Sequence, residues 1–196
     1  MNQNNNQLQH EEKNVTSKYK TMSIYDKPRI YIACLASYNA GVLYGEWIIP
    51  ATNKDELQKQ IDDMLKKSQQ PYAEEWAVHD YDSFYNLGEY PDLENIIKVQ
   101  ENYQNFHTDE IVNAFLENWS VDDLDRLDDA FMSWGWDSFQ EFAEHEADEM
   151  LNEHLNDSSS WIRSYFDYKS YATDLEHDYY YCDTKKNGTA IFHTNW

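Results

Sequence analysis

Between residues 101 and 153 the chain carries sixteen Asp and Glu and one basic residue, Arg126. A block of like charge this long ordinarily stays unfolded, because the charges repel and little apolar surface is available to bury. Here the acids are interleaved with Phe106, Ile111, Phe115, Leu116, Trp119, Leu124, Leu127, Phe131, Trp134, Trp136, Phe139 and Phe142. That much bulky apolar surface is enough to fold, so the negative charge is expected on a fixed scaffold. A folded anionic surface can stand in for a nucleic acid, bind cations, or keep a protein soluble. The rest of the chain bears on that choice.

At 196 residues the chain can form one or two domains with a real core. The formal charge is −22, from 37 acids against 15 Lys and Arg. Such a surface opposes binding to DNA, RNA or anionic lipid, whose phosphates require Lys and Arg. It favours cationic partners, among them proteins whose own ligand is DNA. No nucleic-acid or membrane partner is expected, and no window approaches the ~18 apolar residues of a membrane span. Cys34 and Cys182 stand far apart and offer neither a disulfide framework nor a CxxC pair. The first twenty residues lack an apolar leader. Together these features predict a cytoplasmic protein.

The periodicities describe an α+β chain. Residues 1–27 are polar and aperiodic and read as a disordered arm. RIYIACLASY, from Arg29, reads as a buried strand; VLYGEWIIP reads as a second, with Gly45 marking a bulge or a close backbone approach. Asn53 followed by Glu56 signals a helix start, and Leu57, Ile61, Met64 and Leu65 recur at helical spacing. EWAVHDYDSF returns to strand-like alternation. An N-terminal α+β domain is therefore predicted over 28–83, and an acidic helical domain over 84–125. In the latter, Ser120 with Asp123 resembles a capping box, followed by Val121, Leu124, Leu127 and Phe131 on one helix face. A C-terminal α+β domain over 126–196 has Gly135 as a break, a long helix over 137–155, and a terminal β-hairpin turned by Asn187-Gly188.

At ~100° per residue, Asp137, Glu141, Glu144 and Asp148 fall on one helix face, opposite the apolar stripe of Phe139, Phe142, Ala143, Ala147, Met150 and Leu151. Asp122, Asp125 and Asp129 do the same on the preceding helix. Like charges at i,i+4 cost an isolated helix about 0.2–0.5 kcal/mol per pair, and these helices carry only Arg126 to offset it. The pattern suggests selection for the charge, although an ordinary solvated face of an acidic protein would look similar. Metal and catalytic readings are weaker. VDDLDRLDDAF lacks the sixth-position Gly of a calcium loop, and His145-Glu146 begins an HExxH motif in which Glu149 occupies the second His position. No cofactor is expected. With so many acids a catalytic carboxylate pair has no specificity, and no GxSxG, P-loop or GxGxxG is present.

RIYIACLASYNAGVLYGEWI (29–48), EWAVHDYDSF with NLGEYPDLE (75–94) and SYFDYKSYATDL (164–175) resemble, in order, the signature blocks of the ArdA antirestriction family. The resemblance covers almost everything from residue 29 onward. It implies a non-enzymatic protein that mimics bent B-form DNA and occupies the DNA-binding channel of type I restriction–modification enzymes, at their methyltransferase core. It also implies a homodimer of elongated, curved protomers, each of three small consecutive domains, with residues 139–166 associated with the dimer interface. On that reading Asp109, Glu110, Glu117, Asp122, Asp125, Asp129, Asp137, Glu141, Glu144 and Asp148 stand in for phosphates. Two rivals remain from the residues themselves: a mimic aimed at another DNA-binding protein (a nucleoid protein, a repressor or a CRISPR effector), and an acidic carboxylate hydrolase.

Overall fold

The computed structural model describes residues 27–105, 108–155 and 157–196. The arm predicted over 1–27 falls, up to residue 26, outside the described residues. The chain divides into two compact units, one reaching Leu124 and one from Asp125 to Trp196. Each mixes helices with a small antiparallel sheet.

In the first unit, β1 (Arg29–Cys34) lies between β2 (Gly45–Ile48) and β3 (Trp76–Asp82), both antiparallel to it. Ile30, Ile32 and Cys34 alternate onto the buried face of β1. Helix α2 (Lys54–Lys66) packs against β1 and β2, with Leu57, Ile61, Met64 and Leu65 buried. It starts where the sequence predicts. The Asn53 side chain accepts hydrogen bonds from the backbone N–H groups of Asp55 (2.9 Å) and Glu56 (3.2 Å), satisfying two donors that a helix start leaves open. One strand is shorter than expected: Leu35–Asn39 turns into the short helix α1.

Gly45 does admit a close backbone approach. A Cβ there would fall 2.8 Å from Tyr31 Cζ and 2.9 Å from Ala33 Cα, so the Tyr31 ring lies over the glycine. Beyond the sheet, α3 (Leu93–Asn105) and α4 (Asp109–Leu116) are tied by the buried Tyr103. Its hydroxyl accepts from the Tyr85 N–H at 2.9 Å and donates to Asn113 Oδ1 at 2.5 Å.

From residue 121 onward the structure corrects the sequence reading. Residues 121–126 form a 3₁₀ segment and Leu127–Ala130 a single α turn, α5, in place of one continuous α-helix. Phe131 then opens a strand, β4 (Phe131–Trp136), where a helix face and a Gly135 break were predicted. That strand pairs with β6 (Gly188–His193), which in turn pairs with β5 (Tyr179–Thr184), giving the order β4-β6-β5. The hairpin is as predicted. Gly188 holds a left-handed φ of 71°, and a Cβ there would fall 2.6 Å from the Trp136 carbonyl oxygen. Helices α6 (Phe139–His154) and α7 (Tyr168–Leu175) pack together. Phe139, Phe142, Ala143, Ala172 and Ile191 form the core, flanked by Trp136, Leu175 and Tyr179.

Candidate functional site

Helix α6 carries the densest run of carboxylates. Ser138 begins it, its Oγ accepting from the Glu141 N–H at 3.2 Å, while Glu141 Oε2 accepts from the Asp137 N–H at 2.7 Å. These reciprocal bonds fix the first turn. Phe139, Phe142, Ala143, Ala147 and Leu151 recur at three- and four-residue spacing and are buried, which dictates what the other side shows. There Glu141, Glu144 and Asp148 are exposed, and so is Glu149 at the edge of the same arc. The sequence reading missed Glu149 because it confined the stripe to the narrow sector around Glu141. Glu153 is exposed too, in the last turn, although it falls on the side of Phe142. Glu146 sits differently. It is half-buried, and after burial itself its charge is the next cause raising the pKa of Tyr171 and of Tyr179.

On α6, three of the predicted carboxylates have visible partners. Glu144 Oε1 accepts from the Gln140 amide at 2.9 Å. Glu141 caps its own helix. Asp148 Oδ1 pairs with Arg163 Nη1 at 3.0 Å and accepts from the Tyr168 hydroxyl at 2.7 Å. That hydrogen bond is the leading cause holding the Tyr168 phenol above its ordinary pKa. Asp148 therefore presents a partly balanced charge, set by an arginine fifteen residues further along the chain.

The others lie on separate elements. Asp125 and Asp129 are exposed in the second unit, on the 3₁₀ segment and α5, and Asp137 is exposed just before α6. Asp122 is exposed in the same 3₁₀ segment. With three residues per turn, that segment sets Asp122 and Asp125 one turn apart, so their three-residue spacing survives although the α-helix does not. Asp109 and Glu110 occupy the first turn of α4, behind its Thr108 cap, where a helix N-terminus favours negative charge. Both are half-buried, whereas Glu117, at the C-cap, is exposed. The structure thus places Glu141, Glu144 and Asp148 on one helix, leaves Asp137 outside it, ahead of the Ser138 cap and not on the predicted helix face, and distributes the remaining six.

Among the described residues no group of three or more His, Cys, Asp or Glu is disposed to hold a metal ion, and no helix is long and apolar enough to cross a membrane. From Asp125 to Trp196 sixteen carboxylates face five Lys and Arg. What such a surface can do is attract and hold cationic groups, which defines an anionic binding protein.

Residues 30–188 match the family model described as antirestriction protein (ArdA), and the chain belongs to that family. No curated protein matches it. ArdA proteins are non-enzymatic antirestriction factors that mimic DNA and act against type I restriction–modification enzymes, and this is the role of the chain.

Proposed function

We propose that the ten carboxylates from Asp109 to Asp148 named above act collectively as phosphate stand-ins, and that the protein competes with DNA for the methyltransferase core of its target. The observation that carries this reading is the exposed arc of α6, which holds Glu141, Glu144, Asp148 and Glu149 and no Lys or Arg. Carboxylates three and four residues apart on a helix lie ~5–6 Å apart, while one DNA strand advances ~3.4 Å per phosphate along its axis. A row of helical carboxylates approximates that charge density. Affinity would be shared among many contacts, as it is with phosphates in a duplex. Single Asp→Asn or Glu→Gln changes would then leave inhibition of DNA cleavage nearly intact, while neutralising the whole α6 arc would weaken it strongly. One silent-fold single substitution that abolished inhibition would overturn the shared picture.

The protein would work in the cytoplasm, as a homodimer of curved, elongated protomers, with a further division near residue 83, where β3 has just ended at Asp82. Dimerisation draws support from Trp161 and Tyr165, 65% and 81% exposed, beside the exposed Ile162. Apolar side chains grouped in this way favour an interface. Sedimentation at low micromolar concentration would show a dimer; a 23.4 kDa species alone would contradict it.

A further inference from the structure

The second face of the N-terminal sheet carries a site of a different kind. Across the strands, Trp47 of β2, Tyr31 of β1 and Asp80 of β3 lie in one register row, and side chains opposite one another share a face. The next row of the first two strands is Gly45 and Ala33, so small residues form a floor. Tyr38 and Leu43 rise from α1 and the turn that follows it, and Tyr44 closes the side, its hydroxyl donating to the Met64 carbonyl at 2.8 Å. The result is an open concavity of about 290 Å³ walled by four aromatic rings.

Three features separate it from an incidental dimple. First, β1 and β3 slip register between Tyr31 and Ile32, and this bulge exposes the consecutive residues His79 and Asp80 together, where a regular strand would expose only one. Second, Asp80 has no Lys or Arg partner among the described residues; its Oδ1 accepts only from the Tyr81 N–H, at 2.8 Å. Third, Leu43 is 84% exposed at the rim and Tyr38 is 52% exposed, apolar surface left uncovered in a strongly charged protein. The same face also shows what Trp47 can hold. The Arg29 guanidinium sits 4.9 Å from its ring centroid, tethered to Asp82 at 2.8 Å, and Arg29 does not line the concavity.

Aromatic faces around a carboxylate suit a cation with an apolar stem, since the rings attract the charge and the stem covers the apolar rim. We propose that this concavity receives an arginine side chain of the partner protein. The guanidinium would lie among Tyr31, Tyr38 and Trp47, paired with Asp80, and the methylenes would rest on Leu43. The site would add one directional anchor to an otherwise diffuse electrostatic contact. The identity of the partner as a restriction enzyme rests on the antirestriction role; the preference for a guanidinium does not.

Two experiments separate those questions. In the first, the whole protein is titrated with Nα-acetyl-arginine amide and with its uncharged isostere Nα-acetyl-citrulline amide, while indole and phenol resonances are followed by NMR. The expected result is saturable shifts for Trp47 and Tyr38 with the arginine probe only. Equal shifts with both probes, or arginine shifts spread evenly over the acidic surface, would overturn the site. In the second, Trp47→Leu, Tyr38→Leu and the near-isosteric Asp80→Asn are compared with the wild type in displacing DNA from a type I methyltransferase. Each folded variant is expected to be about tenfold weaker, the ~1.4 kcal/mol of one cation–π or paired-charge contact expressed as an affinity ratio. Undiminished displacement by all three would overturn the partner assignment. Wild-type protein that displaces nothing would instead count against the antirestriction target, leaving the NMR result to judge the concavity.

Discussion

Neutralising Glu144 and Glu149 together should stabilise the second unit while weakening its function. On α6, like charges stand three or four residues apart at Glu141/Glu144, Glu144/Asp148, Glu146/Glu149 and Glu149/Glu153. The two substitutions interrupt all of these pairs. They spare Glu141, which caps the helix, and Asp148, which holds Arg163 and Tyr168. Glu144→Gln also keeps an acceptor for the Gln140 amide, now 2.9 Å away. At about 0.2–0.5 kcal/mol per like-charged pair, the relief comes to about 1–2 kcal/mol. For a unit of this size, each 1 kcal/mol corresponds to about 4–8 °C in melting temperature. The assay is a thermal melt of the Glu144→Gln/Glu149→Gln protein followed by circular dichroism in ~0.01 M and 1 M salt. A higher melting temperature is expected at low salt and a vanishing difference at 1 M, where the Debye length shrinks to ~3 Å. A drop in melting temperature, no change at low salt, or an equal gain at both salts would refute the idea that the helix retains its charge at the expense of stability.

Tyr103→Phe should cost about 1–3 kcal/mol in urea denaturation, because it strips partners from the Tyr85 N–H and the Asn113 amide oxygen beside a fully buried ring; an unchanged midpoint would contradict this. Gly188→Ala should destabilise by more than ~1 kcal/mol, since it imposes both a strained φ and a contact with the Trp136 carbonyl; thermal unfolding checks it, and a neutral result would show that the β4–β6 contact can yield. Asp167 is held below its ordinary pKa by the Ser170 backbone N–H, then by the Ser170 hydroxyl. A depressed folded pKa means that its contribution is present above the unfolded value of ~3.9 and lost as pH falls below it. Asp167→Asn should therefore flatten the acid limb of stability, and a wild-type-to-variant difference that stays constant from pH 6 to pH 3 would refute that assignment.

Local signals made some of this structure legible and long-range pairing hid the rest. The start of α2 could be read because Asn53 and the four apolar positions of that helix act within a few turns of each other. The terminal hairpin was equally local, since a left-handed Gly188 closes it. Strand β4 was hidden. Phe131 continues the spacing of Leu124 and Leu127, and only pairing with β6, nearly sixty residues on, makes it extended. The exposure of Glu141, Glu144 and Asp148 follows from the buried stripe of α6, whereas the partner of Asp148 lies on another element that no helical spacing could reveal. Likewise the concavity around Tyr31 depends on a strand register and a bulge, which Gly45 hinted at without disclosing the rings above it.

The most direct measurement is a displacement titration. A type I methyltransferase would be held on a labelled duplex containing its site, and this protein added as competitor over a series of salt concentrations, with the duplex alone as a control. Phosphate-like contacts predict release of the duplex at near-stoichiometric protein, an inhibitor–enzyme affinity that falls steeply with salt, and no binding of the protein to the duplex itself. Release that is insensitive to salt, or none at a large excess of folded protein, would contradict a surface of carboxylates standing in for phosphates.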